Sequence, residues 1–176
     1  VTENLIRPAL ERIGAGWDQG RVALSQIYMS GRICEELMAA MLPAAGTDRK
    51  DQPRIAIAVL EDHHRLGSRI VLSVLRASGF EILDFGHGVK ADHLAQRVVA
   101  EGVSILLISA LMLPSALKVK DVRYRLQELG ADVRMVVGGA PFLFDAQLWQ
   151  EVGADVMGRN AGEAVEIVAR MTGGVS

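Results

Sequence analysis

Residues 54–71, RIAIAVLEDHHRLGSRIV, carry the reading on which the fold turns. Arg54 to Leu60 is a continuous apolar run rather than an alternating one, as a strand covered on both faces requires. Residues 66–79 then take up helical spacing, and Gly67 stands where that helix opens. Between strand and helix lie an acid and two histidines, Asp62, His63 and His64. Ionisable side chains at the mouth of a core strand are costly unless they form a site.

The same alternation repeats down the chain. The runs FEILDF, VSILLIS, DVRMVVGG and ADVMG are separated by segments of helical period, roughly 90–102, 115–130, 144–152 and 161–172. Gly79, Gly102, Gly130 and Gly153 each fall just past a helix, where a left-handed cap is wanted. Five strands alternating with five helices imply an α/β domain over residues 54–176. Its expected form is a five-stranded parallel sheet with helices on both faces, flavodoxin- or Rossmann-like. Residues 1–42 read differently: Leu5, Leu10, Ile13, Trp17, Leu24, Ile27, Tyr28, Ile33, Leu37, Met38 and Met41 recur at helical spacing. Asp18-Gln19-Gly20 interrupts them, so the expectation is two helices, 2–17 and 22–42, forming a short and truncated helical cap. Residues 43–53, PAAGTDRKDQP, combine Pro, Gly and charge without periodicity and read as a linker.

Composition narrows the partners. A formal net charge of −2 without basic clusters argues against nucleic acid. Apolar runs such as Val103 to Leu113 fall far short of the ~20 residues that cross a bilayer, so no membrane partner is expected. No secretory signal is visible, and the single cysteine, Cys34, excludes an internal disulfide framework and fits a reducing cytoplasm. The chain opens on Val1 rather than Met, so residues ahead of it are expected to be missing.

Open parallel sheets bind ligands beyond the carboxyl ends of their strands, where the strand order reverses. With the order 2-1-3-4-5, that crevice lies between the loops after strands 1 and 3, with the loop after strand 4 beside them. Asp62, His63, His64 and Gly67 stand at the first exit. Ser109, Leu111, Pro114 and Ser115 stand at the second, and Gly138 and Gly139 at the third. Adjacent glycines would let something large and flat approach the main chain. Asp62 and His64 are close enough for the carboxylate to take one ring N–H, which leaves the other nitrogen to act as a base or bind a metal. The competing readings are a solvated loop, a helix cap at Asp62, and a zinc site, for which His87 and His93 stand poorly at the sheet edge. Gly86 to Ala91, GHGVKA, matches a loose dinucleotide fingerprint, but it follows the second strand. Gly86 and Gly88 are expected to turn the chain.

Asp62-x-His64-x-x-Gly67, then Ser109-x-Leu111, then Gly138-Gly139, in this order and at these strand exits, resemble the signature of cobalamin-binding domains of the methionine synthase type. The block ERIGAGWDQGRVALSQIYMSGRICEELMAAMLP is similar to the last two helices of the four-helix cap in corrinoid methyl-carrier proteins. The resemblance implies cobalamin bound base-off, with His64 as the lower axial ligand of cobalt in place of the cofactor's own base. It implies that Asp62 bonds the far ring nitrogen, that Ser115 extends the relay, and that the displaced nucleotide tail slides between strands 1 and 3. Ser109 and Leu111 would line that tail, and Gly138, Gly139 and Ala140 would let it lie against the backbone. His63, Arg65, Leu66 and Gly67 complete the lower face, and Tyr28, with Leu24, would shield the upper one. Ser68-Arg69 departs from the Lys-Asn that many members carry after the motif glycine.

What such carriers do follows by implication: cobalt cycles between nucleophilic Co(I) and methyl-Co(III), and the protein supplies binding and orientation. The expected role is a methyl shuttle, not catalytic alone. One methyltransferase would load it from a methyl ether or methylamine. A second would pass the group to tetrahydrofolate or a thiol, and a reductive activase would rescue Co(II). Two alternatives share the motifs. A light-sensing regulator would carry Glu-His where Trp17 is followed by Ile27 and Tyr28. An adenosylcobalamin mutase domain would generally lack the helical pair. A receiver domain would need an Asp where strand 3 ends in Ser109.

Overall fold

The computed structural model describes residues 8, 9, 12, 13, 16, 19–23, 25, 26, 29, 30, 33, 34, 36, 37 and 52–173. The chain divides into two compact units, Val1–Ala44 and Ala45–Ser176. In the first, the described residues are helical except at 19–23, where Gln19 and Gly20 form a turn. Gly20 adopts φ +68° there, and the Arg21 and Val22 amides fold back onto the Gly16 carbonyl. This is the break expected at Asp18-Gln19-Gly20. Cys34 is buried.

The second unit runs β1 (Ile55–Leu60), α1 (Leu66–Ala77), β2 (Ile82–Val89), α2 (Ala91–Ala100), β3 (Ile105–Ser109), α3 (Leu113–Leu117), α4 (Val119–Glu128), β4 (Arg134–Gly138), α5 (Ala140–Phe144), α6 (Leu148–Glu151), β5 (Val156–Gly158) and α7 (Ala161–Met171). All strand pairs are parallel, in the order β2-β1-β3-β4-β5. The order reverses between β1 and β3, as in the flavodoxin-like order considered above. All six residues of β1 are buried, which explains its unbroken apolar sequence. Its even positions Ala56, Ala58 and Leu60 pack with Leu94, Val98, Val122 and Leu126 of α2 and α4. Its odd positions Ile55 and Ile57 pack with Leu72, Leu75, Ile167 and Val168 of α1 and α7. Each such Val, Leu or Ile side chain contributes on the order of 1.5–3 kcal/mol by leaving water. Among the described residues, no helix is long and apolar enough to cross a membrane.

Three local expectations are corrected. The helix expected over 115–130 is two, α3 and α4, because the Lys118 amide reaches back three residues to Ser115 and tightens the chain into a new axis. The helix expected over 144–152 is shorter, α6 at Leu148–Glu151, and a separate helix that the periodicity did not show, α5, precedes it. Pro141 opens α5, which stops at Phe144 before the extended residue Asp145. Periodicity continues across such joints, so it cannot mark them. Gly86 and Gly88 do not turn the chain. They lie inside β2 at φ +83° and +66°, where the pairing with β1 slips twice, from Ile57↔Asp84 to Val59↔His87 and Leu60↔Val89. Each slip inserts a residue as a glycine bulge does, which carries β2 as far as the loop after β1. The caps at Gly79, Gly102, Gly130 and Gly153 all take positive φ, between +63° and +84°.

Candidate functional site

The bulged end of β2 secures the loop after β1. Glu61 leaves the strand at φ +45°, rare for a residue with a side chain. Its N–H donates to the Val89 carbonyl at 3.0 Å, and the Gly88 N–H donates to the Asp62 carbonyl at 2.8 Å. Asp62 is thereby turned under the loop, 5% exposed.

One carboxylate then gathers five donors. Oδ1 of Asp62 accepts the backbone N–H of His63 at 2.6 Å and of His64 at 3.1 Å, and lies 2.5 Å from Nδ1 of His64. Oδ2 accepts the backbone N–H of Leu111 at 3.2 Å and of Met112 at 3.3 Å. Burial alone would raise the Asp62 pKa. The His64 side chain and the His64, Leu111 and His63 amides outweigh it and hold the carboxyl below its ordinary value. The acid is therefore a fixed anion that keeps the proton of a neutral His64 on Nδ1 and the lone pair on Nε2. The His64 side chain is 58% exposed. Asp62 is not a helix cap: α1 begins after Arg65 with no side-chain cap bond.

The other exits close around this pair. Gly67 faces Ser109, and a Cβ placed there would stand 3.4 Å from the Ser109 hydroxyl. Leu66 and Gly67 open α1 beside it. Ser109 pairs with Gly138, and the Ala110 amide donates to the Gly138 carbonyl at 3.0 Å. Loops after β1, β3 and β4 thus meet as the strand order required, with Ala140 starting α5 at the rim. An exposed imidazole whose Nδ1 is held by a buried carboxylate is a donor that fits a cobalt-centred macrocycle needing one protein nitrogen. Zinc would need further protein ligands, and among the described residues no three His, Cys, Asp or Glu side chains gather to supply them.

Comparison with known proteins agrees with this fit. A family profile described as B12 binding domain matches residues 54–169. The chain belongs to the B12-binding domain family. It is 32% identical over 164 residues to monomethylamine corrinoid protein 1 of Methanosarcina barkeri, spanning 88% of this chain and 74% of that protein. A corrinoid protein of Desulfitobacterium hafniense (strain Y51) is 27% identical over 181 residues, 98% of this chain and 82% of the other. Among solved structures, the Methanosarcina barkeri monomethylamine corrinoid protein superposes with a TM-score of 0.83 at 30% identity, covering 94% of this chain and 80% of that one.

Within this B12-binding domain, three expected site residues also make contacts with the protein itself. Ser115, 3% exposed, donates its hydroxyl to the Leu60 carbonyl and does not meet Asp62. Gly139, at φ +119°, is bare because a Cβ there would sit 1.9 Å from the Ala110 carbonyl oxygen. Its first service is to the protein's own backbone. His63 packs edge-on against His87, with ring centroids 5.5 Å apart, and over Gly88. Arg65 precedes α1 and is exposed, as is Leu111. Tyr28, Leu24 and Trp17 lie outside the described residues. Sequence reasoning missed Met112, which acts only through its main-chain amide, and Glu61, whose left-handed turn has no residue signature.

Proposed function

We propose that this protein is a corrinoid-carrying methyl shuttle of a multi-component methyltransferase system, with His64 as the lower cobalt ligand. The observation that carries the reading is the Asp62–His64 pair. A buried anion fixes one ring nitrogen at 2.5 Å, and the other is left as a donor on an exposed ring at the mouth of β1. Names borne by the similar proteins favour a methylamine over a methyl ether as the methyl source.

When bound, the corrinoid supplies a metal centre that takes up and gives up a methyl group. The chain's residues do the rest. Nε2 of His64 would hold the metal, and Asp62, bonded to Nδ1, orients that imidazole. Gly67 and Ser109 border the crevice for the displaced nucleotide tail. Leu111, Gly138 and Ala140 line its rim, with Arg65 and Leu66 on the α1 side. The protein works with a methyl-donor methyltransferase, a methyl-acceptor methyltransferase and a reductive activase, in the cytoplasm.

Absorption spectroscopy tests the reading. Purified chain should bind hydroxocobalamin stoichiometrically and lose the base-on spectrum of the free cofactor. With methylcobalamin bound, His64→Ala should move the spectrum to the fully base-off form. A His64→Ala spectrum superposable on wild type would remove His64 from the cobalt.

A further inference from the structure

His87 lies on β2, the edge strand, as the sequence implied, but it is not alone there. The irregular pairing of β2 sets His87 opposite Val59, beside the loop that carries His63. Two backbone hydrogen bonds clamp the segments that bear the two rings. The Gly88 N–H donates to the Asp62 carbonyl at 2.8 Å, and the Glu61 N–H donates to the Val89 carbonyl at 3.0 Å. The ring centroids of His63 and His87 stand 5.5 Å apart, with planes crossing at 75°. Gly88, at φ +66°, makes the room: a Cβ there would stand 3.1 Å from Cε1 of His63 and 3.5 Å from its Nδ1. Both histidines are exposed.

We infer that His63 and His87 form a two-nitrogen site for a divalent transition-metal ion, copper(II) or nickel(II), separate from the imidazole of His64. Two imidazoles that share one ion, each bonded at about 2.0–2.1 Å, hold their centroids roughly 5–6 Å apart. The separation in this protein is already that of a chelate. A stacked pair would carry its nitrogens side by side, whereas steeply crossed rings can turn one nitrogen each toward a common point. The backbone clamps fix both main-chain segments before an ion arrives, so little ordering is left to binding. Imidazole suits copper, nickel and zinc alike, and the number of ligands selects among them. Among the described residues no third His, Cys, Asp or Glu side chain joins the pair. Zinc sites draw on three or four protein ligands. Copper(II) and nickel(II) accept tetragonal sets of nitrogen and oxygen, in which water fills the remaining positions, and copper binds the more tightly. Exposure of both rings supplies that water and the path of entry. An ion held there fastens the end of β2 to the loop after β1 through side chains as well as backbone.

Titration of the cofactor-free chain with copper(II) or nickel(II) salts, followed by calorimetry, tests the site. Wild type should bind one ion there, and the electron paramagnetic resonance of bound copper should carry the splitting of two imidazole nitrogens. Tethering the second imidazole beside the first raises affinity through effective concentration, by roughly 100-fold. His63→Ala and His87→Ala should each lose that gain. The double variant should lose little more than either single one, because the two nitrogens act as a unit. Both side chains are exposed, so neither change opens the core. His93→Ala, which removes another exposed imidazole, should leave the affinity at the wild-type value. The ion should also raise the melting temperature of wild type and not that of the double variant. Small and additive losses would mean two independent surface imidazoles and an adventitious ion only. Loss of the site in His64→Ala, with His87→Ala unaffected, would move the ion to the β1 loop. Either result, or the lack of saturable binding, overturns the inference. No cobalamin enters these measurements, so they can fail while the His64→Ala spectrum succeeds, and the reverse.

Discussion

Replacing Gly139 by alanine should unfold the carboxyl edge of the sheet before it affects any ligand. Two penalties can be read from the backbone. Gly139 sits at φ +119° and ψ 175°, a region essentially reserved for glycine, and an L-residue there carries roughly 1–3 kcal/mol of strain. The new Cβ would also stand 1.9 Å from the Ala110 carbonyl oxygen and 2.9 Å from its carbon. That collision is with backbone, so β3 and β4 must part, at a cost of about 1–3 kcal/mol by analogy with overpacked cores. Together these give about 2–6 kcal/mol. For a domain of this size each kcal/mol lowers the melting temperature by roughly 2–4 °C, so a fall on the order of 5–20 °C is expected by circular dichroism. Gly102→Ala is the control. It has φ +63° with nothing within 4 Å of a Cβ, and should cost about 1–2 kcal/mol from conformation alone. If Gly139→Ala melts with wild type, or no lower than Gly102→Ala, the contact with Ala110 does not constrain the fold and the argument fails.

Asp62→Asn should destabilise the protein most near neutral pH. The carboxyl is held below its ordinary value, so its contribution is present above the unfolded-state pKa and is lost as pH falls through the lower folded-state one. Urea midpoints of variant and wild type should therefore converge in acid, and a gap that stays constant from neutrality to below about pH 3 would contradict the assignment. Arg123→Ala should cost about 2–3 kcal/mol without altering the spectrum of bound cobalamin. The guanidinium donates to the Gly153 and Val133 carbonyls and to Asp155, at 2.7, 3.1 and 2.6 Å, all at the amino end of β4 and β5. Arg123→Lys, which lacks the fork, should recover little of that stability, and full recovery would mean that charge alone sufficed.

Much of the fold was legible because its causes are periodic. A doubly buried strand such as Ile55–Leu60 has no reason to alternate, and helices capped by Gly79, Gly102 or Gly130 announce their ends through the one residue that adopts a left-handed turn freely. Strand and helix alternate five times, which implies a parallel sheet; the order β2-β1-β3-β4-β5, with its reversal between β1 and β3, was one form of that sheet, and the tertiary structure selects it. The pairing of Asp62 with His64 was equally legible, since two residues in one loop need no distant partner to find each other.

What stayed hidden are contacts made by main-chain groups or between segments distant in sequence. Nothing in LMLPS, residues 111–115, says that two amides close on a carboxylate some fifty positions earlier while the serine turns to the Leu60 carbonyl. Nor does GHG, residues 86–88, distinguish a turn from a pair of bulges that lengthen a strand. Gly139 reads in sequence as room for a ligand, and only the approach of Ala110 shows whose atoms need that room. Side-chain chemistry and local period are written residue by residue. The direction of an N–H, a carbonyl or a bare Cα is decided when the strands pair, because every residue carries the same backbone and only tertiary geometry tells one peptide group from another.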